Sequence, residues 1–395
     1  MKDNIKEKIK RKRWKQYYSF LGIGMFTICL LAAVILLVLP DRAYSIREKR
    51  SLAQNPRLSA DSLRNGTYMD GMEDYLADQF PLRDAWVRIK TFMDMAMGKK
   101  ESHGVYYGRD GWLLERFEGS DAENLEQTIQ SLNAFCRRYA DNGRRIFFML
   151  VPNAVSMLSR QLPPNAPTLQ EEPWEESFAA SLSENISLLN MRDPLRQVSS
   201  DIQLFYRTDH HWTTDAAFEA WRAVSDTMGL TGMGTVYTPA CVCDSFSGSL
   251  VNKSGFPAKK KDRINIFFPD DAYPKYVITY NNENRKSASC YQPEFLEGED
   301  PYQVFFGGNH PCITIETTAD TNRTLIVFKD SYANCFLPFL LPDFKRIVVV
   351  DPRYYYEDIH SLMAQEAFTD ILFLYNVSTL AEDNSLSLVL GMDEE

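Results

Sequence analysis

The longest apolar run comes first. No charged residue occurs between Gln16 and Pro40. Its core, Phe20 to Leu39, is long enough at about 1.5 Å per residue to span a hydrocarbon layer of roughly 30 Å. Residues 41–100 are more polar. Leu52, Leu58, Leu63, Met72, Tyr75, Leu76 and Phe80 recur at loosely helical spacing, interrupted by Pro56, Gly66 and Pro81, which predicts a helical stalk. Val105 to Leu114 predicts a hairpin turning at Arg109-Asp110-Gly111. Asp121 is placed to cap a helix running to about Asn142 and closed by Gly143.

Beyond that point short apolar runs alternate with helical patterns. Arg145–Val151 predicts a strand buried on both faces, closed by Pro152-Asn153. Residues 171–190 begin acidic and continue as helix. Ile202–Arg207 predicts a short strand, followed by Thr208-Asp209-His210-His211-Trp212-Thr213. A helix over 214–228 follows, with Thr214 and Asp215 as capping candidates. Residues 230–320 differ in texture, with Gly, Pro, Lys, Asn and Tyr around short alternating runs such as Tyr276–Tyr280, and predict a β-rich insertion. Thr324–Phe328 then predicts a buried strand leading into Lys329-Asp330-Ser331-Tyr332-Ala333-Asn334, with a helix starting at or just after the Ser. Arg346–Val350 and Ile371–Tyr375 predict further strands, separated by a helix over 357–368. This alternation implies a parallel sheet covered on both faces. Ligands of such sheets bind off the carboxyl ends of the strands. Asp209, His211, Ser331, Asp351, Arg353 and Asn376 all fall at such ends.

Charge sharpens the division. The chain of 395 residues carries a net charge of −10, and its mean hydropathy of −0.32 excludes a multi-pass membrane protein. Residues 1–15 hold eight Lys/Arg and two Asp/Glu, or +6, so the remainder carries −16. An acidic remainder argues against a nucleic-acid partner. A basic segment before one apolar span predicts a cytoplasmic tail over 1–16, an anchor over 17–40 and an extracytoplasmic remainder at the cell membrane. The rival reading is a cleaved signal peptide, but the run is long and lacks an A-x-A-like cleavage site. Of seven Cys, six lie beyond the anchor, which permits disulfides in an oxidising compartment; buried free thiols are the plainer reading.

A Ser between a buried strand and a helix start is placed for nucleophilic attack, with nearby backbone N–H groups for an oxyanion. His211 is a candidate base, and Asp209, two residues earlier, a candidate orienter. Each residue also has a plainer role. Asp330-Ser331 is a helix cap, Asp351 and Arg353 form a local ion pair, and Asn376 caps the next segment. Asp-His-His is a possible metal-ligand set, but no further His or Cys has ligand spacing, and neither metal nor cofactor is expected. His210 is expected to point away from His211 if the segment is extended.

Asp209-His210-His211-Trp212 resembles the motif that names the DHHW family of bacterial anchored proteins. Thr208-Asp209-x-His211-Trp212-Thr213 also resembles an element of the alginate O-acetyltransferases, which are SGNH-like hydrolases. Tyr107–Leu113, Val151-Pro152-Asn153 and Lys329–Asn334 agree. The resemblance implies a circularly permuted SGNH-hydrolase-like, doubly wound parallel sheet over 101–395, with the β-rich insertion at 230–320. It makes Ser331 the nucleophile, His211 the general base and Asp209 its orienter. Asn376, Arg353, Asp351, Tyr332 and Trp212 become the oxyanion and substrate-binding candidates. Asp351-Pro352-Arg353 stands where the second block of the family has Gly. The implied activity is O-acetyl transfer to a cell-surface polysaccharide, with a membrane-bound acyltransferase as donor partner. The alternatives are a carbohydrate acetylesterase and a non-catalytic glycan-binding or assembly protein.

Overall fold

The computed structural model describes residues 2–38, 40–45, 50–140, 143–270 and 273–391. The chain divides into two compact units, Met1–Ala96 and Met97–Glu395. The first is helical. Lys2–Val38 forms one helix, and Ala60–Arg64, Thr67–Gln79 and Arg83–Ala96 form three more. Among the described residues no helix is long and apolar enough to cross a membrane. The structure therefore does not establish the span expected over 17–40. Leu39 and several side chains of that run lie outside the described residues.

The second unit is built on one eight-stranded sheet. Its strands are β1 (Arg145–Val151), β2 (Ile186–Asn190), β3 (Tyr276–Tyr280), β4 (Arg285–Ser287), β5 (Cys312–Thr317), β6 (Thr324–Lys329), β7 (Arg346–Val350) and β8 (Asp370–Asn376). They lie in the order β4-β3-β5-β7-β6-β8-β1-β2. The stretch β7-β6-β8-β1-β2 is parallel, and β5, β3 and β4 extend it antiparallel. The central strands are apolar between their polar ends because both faces are covered; all seven positions of β8 are buried. Phe328, Phe373 and Phe148 sit side by side across β6, β8 and β1. Phe135 of the helix Ala122–Tyr139 packs edge-on against Phe328 and Phe373. Phe178 of the helix Glu171–Ser181 packs on Phe148. Two helices thus cover one row of rings.

The sheet is mixed, which corrects the expectation of a purely parallel one. The difference comes from the stretch read as an insertion. Residues 237–269 form a separate two-stranded hairpin, while β3, β4 and β5 join the main sheet. Ile202–Arg207 is not a strand and keeps only a bridge between Phe205 and Trp212. The helical reading of 171–190 holds to Ser181, after which β2 forms the sheet edge. An edge strand alternates buried and open positions, so its apolar signal is weak. Thr213, not Thr214 or Asp215, caps the helix Thr214–Met228, through its hydroxyl on the Ala216 N–H. The helix capped by Asp121 ends at Tyr139, and residues 141–142 lie outside the described residues. Ser331 opens a short 3₁₀ segment, Ser331–Cys335, rather than a long helix. The helix expected over 357–368 is Ile359–Gln365. The hairpin over Val105–Tyr107 and Leu113–Glu115 forms as expected, with left-handed Asp110 and Gly111 at its turn. All seven cysteines are free thiols.

Candidate active site

The loop between Phe205 and Trp212 is pinned at its neck by two backbone bonds, Tyr206 N–H to His211 O and Thr213 N–H to Leu204 O. Within it the Asp209 carboxylate accepts the His211 N–H at 3.0 Å. This i to i+2 bond is a turn that Asp favours intrinsically. It places both side chains on one side of the loop. Asp209 Oδ1 lies 2.5 Å from His211 Nδ1, and His211 Nε2 lies 2.7 Å from Ser331 Oγ. An ionised carboxylate only accepts, so Nδ1 carries the proton and Nε2 is left to accept the Ser331 hydroxyl. Asp209 and His211 are fully buried, whereas Ser331 is half-buried.

Four donors converge on Asp209. His211 N–H and Nδ1–H reach Oδ1, and Ser249 N–H and Oγ–H both reach Oδ2 at 2.8 Å. Gly248 allows this approach, because a Cβ there would stand 2.2 Å from Asp209 Cβ. Asp262 holds the same loop by accepting from Arg207 N, Thr208 N and Thr208 Oγ1. Tyr302 stacks on the His211 ring at 3.9 Å, and its hydroxyl donates to Ser331 O. Ser249, Asp262 and Tyr302 all come from the stretch read as an insertion, and sequence reasoning named none of them.

His210 does not point away. Its ring centroid lies 3.9 Å from that of His211, and Nδ1 bonds Ser249 Oγ at 2.8 Å. The Ser249 hydroxyl proton is engaged by Asp209, so His210 Nδ1 is the donor of that bond. Asp209, His210 and His211 also offer three metal-ligand atoms within 4.8 Å of one another. Oδ1 of Asp209 and Nδ1 of His211 already face each other across a shared proton, which favours the hydrogen-bonded series over a ligand set.

At the end of β6, Asp330 ties the Ser331 turn to β8. Its carboxylate accepts Tyr332 N–H and Asn376 N–H. Burial pushes the Asp330 carboxyl up, opposed by the Arg353 charge and these bonds. Lys329 is buried on Asp351 Oδ2 at 3.0 Å and Asn309 Oδ1 at 2.7 Å. Burial pushes its ammonium down, opposed by Asp351. Burial also works against the Asp351 carboxylate, but Lys329 and Arg353 outweigh it and hold it below the usual range. Arg353 grips Asp351 with two nitrogens, at 2.8 and 2.7 Å.

A depression of about 300 Å³ opens here, lined by His210, Arg353, Asn376, Asn153 and Glu382 among others. Of the expected binding groups, Asn376 and Arg353 line it. Asp351 is buried beneath Arg353. Trp212 and Tyr332 are buried too; the Trp212 indole donates to Tyr332 O, and the Tyr332 hydroxyl to His210 O. They hold the Asp-His loop against the Ser turn. Asn376 gives one amide proton to Val151 O, and its oxygen accepts Ser378 N–H.

Asn153, at the end of β1, was legible from the same strand-end rule. Its N–H and amide both donate to the buried Glu171, which pairs with Arg192, as does Glu175. Burial pushes the Glu171 carboxyl up, against Asn153 and Arg192. Arg192→Ala strands two buried carboxylates, and losing one partner of such a cluster costs about 3–5 kcal/mol. Thermal denaturation should show a melting temperature lower by roughly 10 °C. An unchanged melting curve would mean that the cluster contributes nothing net.

Residues 105–287 match the family model described as SGNH hydrolase-like domain, acetyltransferase AlgX. A relative from Pseudomonas putida (KT2440), named probable alginate O-acetylase AlgJ, is 25% identical over 266 residues, covering 66% of each chain. The chain thus spans just under two thirds of that relative's length. A solved DHHW family protein from Eubacterium siraeum superposes with a TM-score of 0.61 at 22% identity, covering 73% of this chain and 95% of its own. Bacillus cereus PatB1, solved with a sulfonyl adduct, also gives 0.61, at 21% identity and covering 71% and 97%. The second unit therefore has an SGNH-like α/β fold with a mixed sheet, and the resemblance to the DHHW and alginate O-acetyltransferase families holds.

Proposed function

We propose that this chain is an O-acetyltransferase acting on a cell-surface polysaccharide through Ser331, His211 and Asp209. The observation that carries the reading is the unbroken hydrogen-bonded series from Asp209 through His211 to Ser331 Oγ. Ser331 Oγ attacks the carbonyl carbon of an acetyl donor as His211 Nε2 takes its proton, and Asp209 stabilises the resulting imidazolium. The C–O bond to the donor breaks, His211 returns the proton to the leaving oxygen, and acetyl stays on Ser331. A glycan hydroxyl then attacks, gives its proton to Nε2, and Ser331 regains its own. Asn376, Asn153 and Arg353 line the depression, and this reading assigns the oxyanion to them. Water in place of the glycan gives an esterase; the named relatives tilt the reading toward transfer.

The sheet order supports a circular permutation. With β6 taken as first strand, the parallel strands read 2-1-3-4-5, the flavodoxin-like doubly wound order. The chain enters this order at its fourth strand.

The seven cations from Lys6 to Lys15, followed by the uncharged run over 17–40, support a single-pass anchor with the second unit outside the cytoplasm. A membrane-bound acyltransferase is the donor partner this topology fits. The test uses the full chain in detergent with p-nitrophenyl acetate and an acceptor glycan, scoring acetyl on glycan against acetate released. Acetate release without any glycan acetylation favours the esterase. Neither product favours a binding or assembly role. In cells, the chain should remain with membranes after alkaline extraction, and protease added outside the membrane should digest residues 41–395. Protection of that region would overturn the topology.

A further inference from the structure

The depression lined by His210, Arg353 and Asn376 does not end at Glu382. A second one of about 600 Å³ adjoins it, and Glu115 and Glu382 line both. Together they form a trough from His210 toward His103, longer than one small acyl group requires. Its lining carries five carboxylates, Glu115, Glu118, Asp121, Glu382 and Asp383, against Arg116, Lys253 and Arg353. Each of those cations is already engaged within the chain. Arg353 is gripped by Asp351, Arg116 pairs with Glu118, and Lys253 pairs with Glu115. Glu382 is exposed, but its neighbours in the trough crowd it. That desolvation, with Glu115 alongside, pushes its carboxyl up to about 7 despite Lys253.

An incoming uronate would find each lining cation already paired and would face Glu382 and Asp383. Like charges brought together in this way oppose binding, whereas an ammonium would be stabilised by both. Resting on the glycan-acetylating reading above, we infer that the acceptor is a polymer bearing free amino groups, a partly de-N-acetylated hexosamine chain, rather than a uronate. The trough then serves as its subsites, with a sugar amine at Glu382 and a neighbouring hydroxyl presented to Ser331.

The test is binding without turnover. Full-length Ser331→Ala in detergent is titrated calorimetrically, at low salt and near-neutral pH, where Glu382 still carries charge, with glucosamine, N-acetylglucosamine and mannuronate oligomers. Glucosamine oligomers should bind at least tenfold more tightly than mannuronate oligomers, and added salt should shrink the gap, as it screens exposed charges. Adding Glu382→Lys to this protein, with its fold checked by melting, should erase or invert the preference. Equal affinities, tighter mannuronate binding or no binding of any oligomer overturns the inference. Failure of the wild-type chain to form an acetyl-enzyme would sink the catalytic reading instead, and this experiment does not depend on that step.

Discussion

Ser331→Ala should leave the enzyme unable to take up acetyl from p-nitrophenyl acetate. In the proposed mechanism the Oγ accepts the acyl group, and it lies 2.7 Å from the His211 Nε2. Without it, turnover depends on water held in the same depression, and kcat should fall by a factor on the order of 10⁴ or more. His211→Ala should cost about as much, because Ser331 is then a neutral alcohol with no base in reach. The double variant should be little worse than either single one, since the two groups act as a unit. Intact-mass measurement during turnover reads the acetyl adduct, and steady-state release of p-nitrophenol reads the rate. A Ser331→Ala protein that still gains acetyl at the wild-type rate would remove Ser331 from the mechanism. A protein whose two single losses multiply in the double variant would show that Ser331 and His211 are not one device.

The parallel half of the sheet was legible because its strands are short, apolar and covered on both faces. Arg145–Val151, Thr324–Phe328, Arg346–Val350 and Ile371–Tyr375 all form where the pattern puts them. Ser331 was legible by the same logic, as a polar residue where such a run ends, whereas Asp209 and His211 were legible from their own spacing, since the run before them forms no strand. What holds them in place was not. Ser249, Asp262 and Tyr302 lie in a stretch with mixed texture, and their partners are about 40 to 90 residues away in sequence. No local periodicity marks a hydroxyl that will cap a distant carboxylate, or a ring that will stack on a distant imidazole. Reading residues 230–320 as an appendage also hid three strands of the main sheet. Those strands pair antiparallel with β7 and with one another, so their alternation resembled independent hairpins. His210 was misplaced for a related reason. Alternation predicts opposite faces only along an extended strand, and the loop here is a turn closed by Asp209.

That turn makes Asp209→Asn the most informative single change in the support of the site. The carboxylate accepts from four donors, two on each oxygen. Asn offers one oxygen and an NH₂ group that can only donate. If the oxygen stays with His211, the NH₂ faces the Ser249 N–H and hydroxyl, donor against donor. If it turns to Ser249, the NH₂ faces the His211 backbone N–H and Nδ1, and only Nδ1 can adapt, by giving up its proton. The proton then sits on Nε2, which can no longer take one from Ser331. Each oxygen of Asp209 holds one backbone N–H, of His211 or of Ser249, that cannot move to another acceptor, so either orientation strands one of them, and Gly248 packs against Asp209 with no room for retreat. The second orientation brings the wrong tautomer, and either one removes the carboxylate charge that stabilises the imidazolium. We expect kcat to fall by a factor on the order of 10⁴ with KM for the acetyl donor little changed, because the residues lining the depression stay in place. The variant should still fold, with a melting temperature reduced by no more than a few degrees, which separates this loss from unfolding. Raising the pH should recover part of the rate, since hydroxide can do without the base that the turned imidazole no longer provides. An Asp209→Asn enzyme within tenfold of wild type at neutral pH would mean that the imidazole is oriented by something else. The stacked Tyr302 would then be the next group to remove.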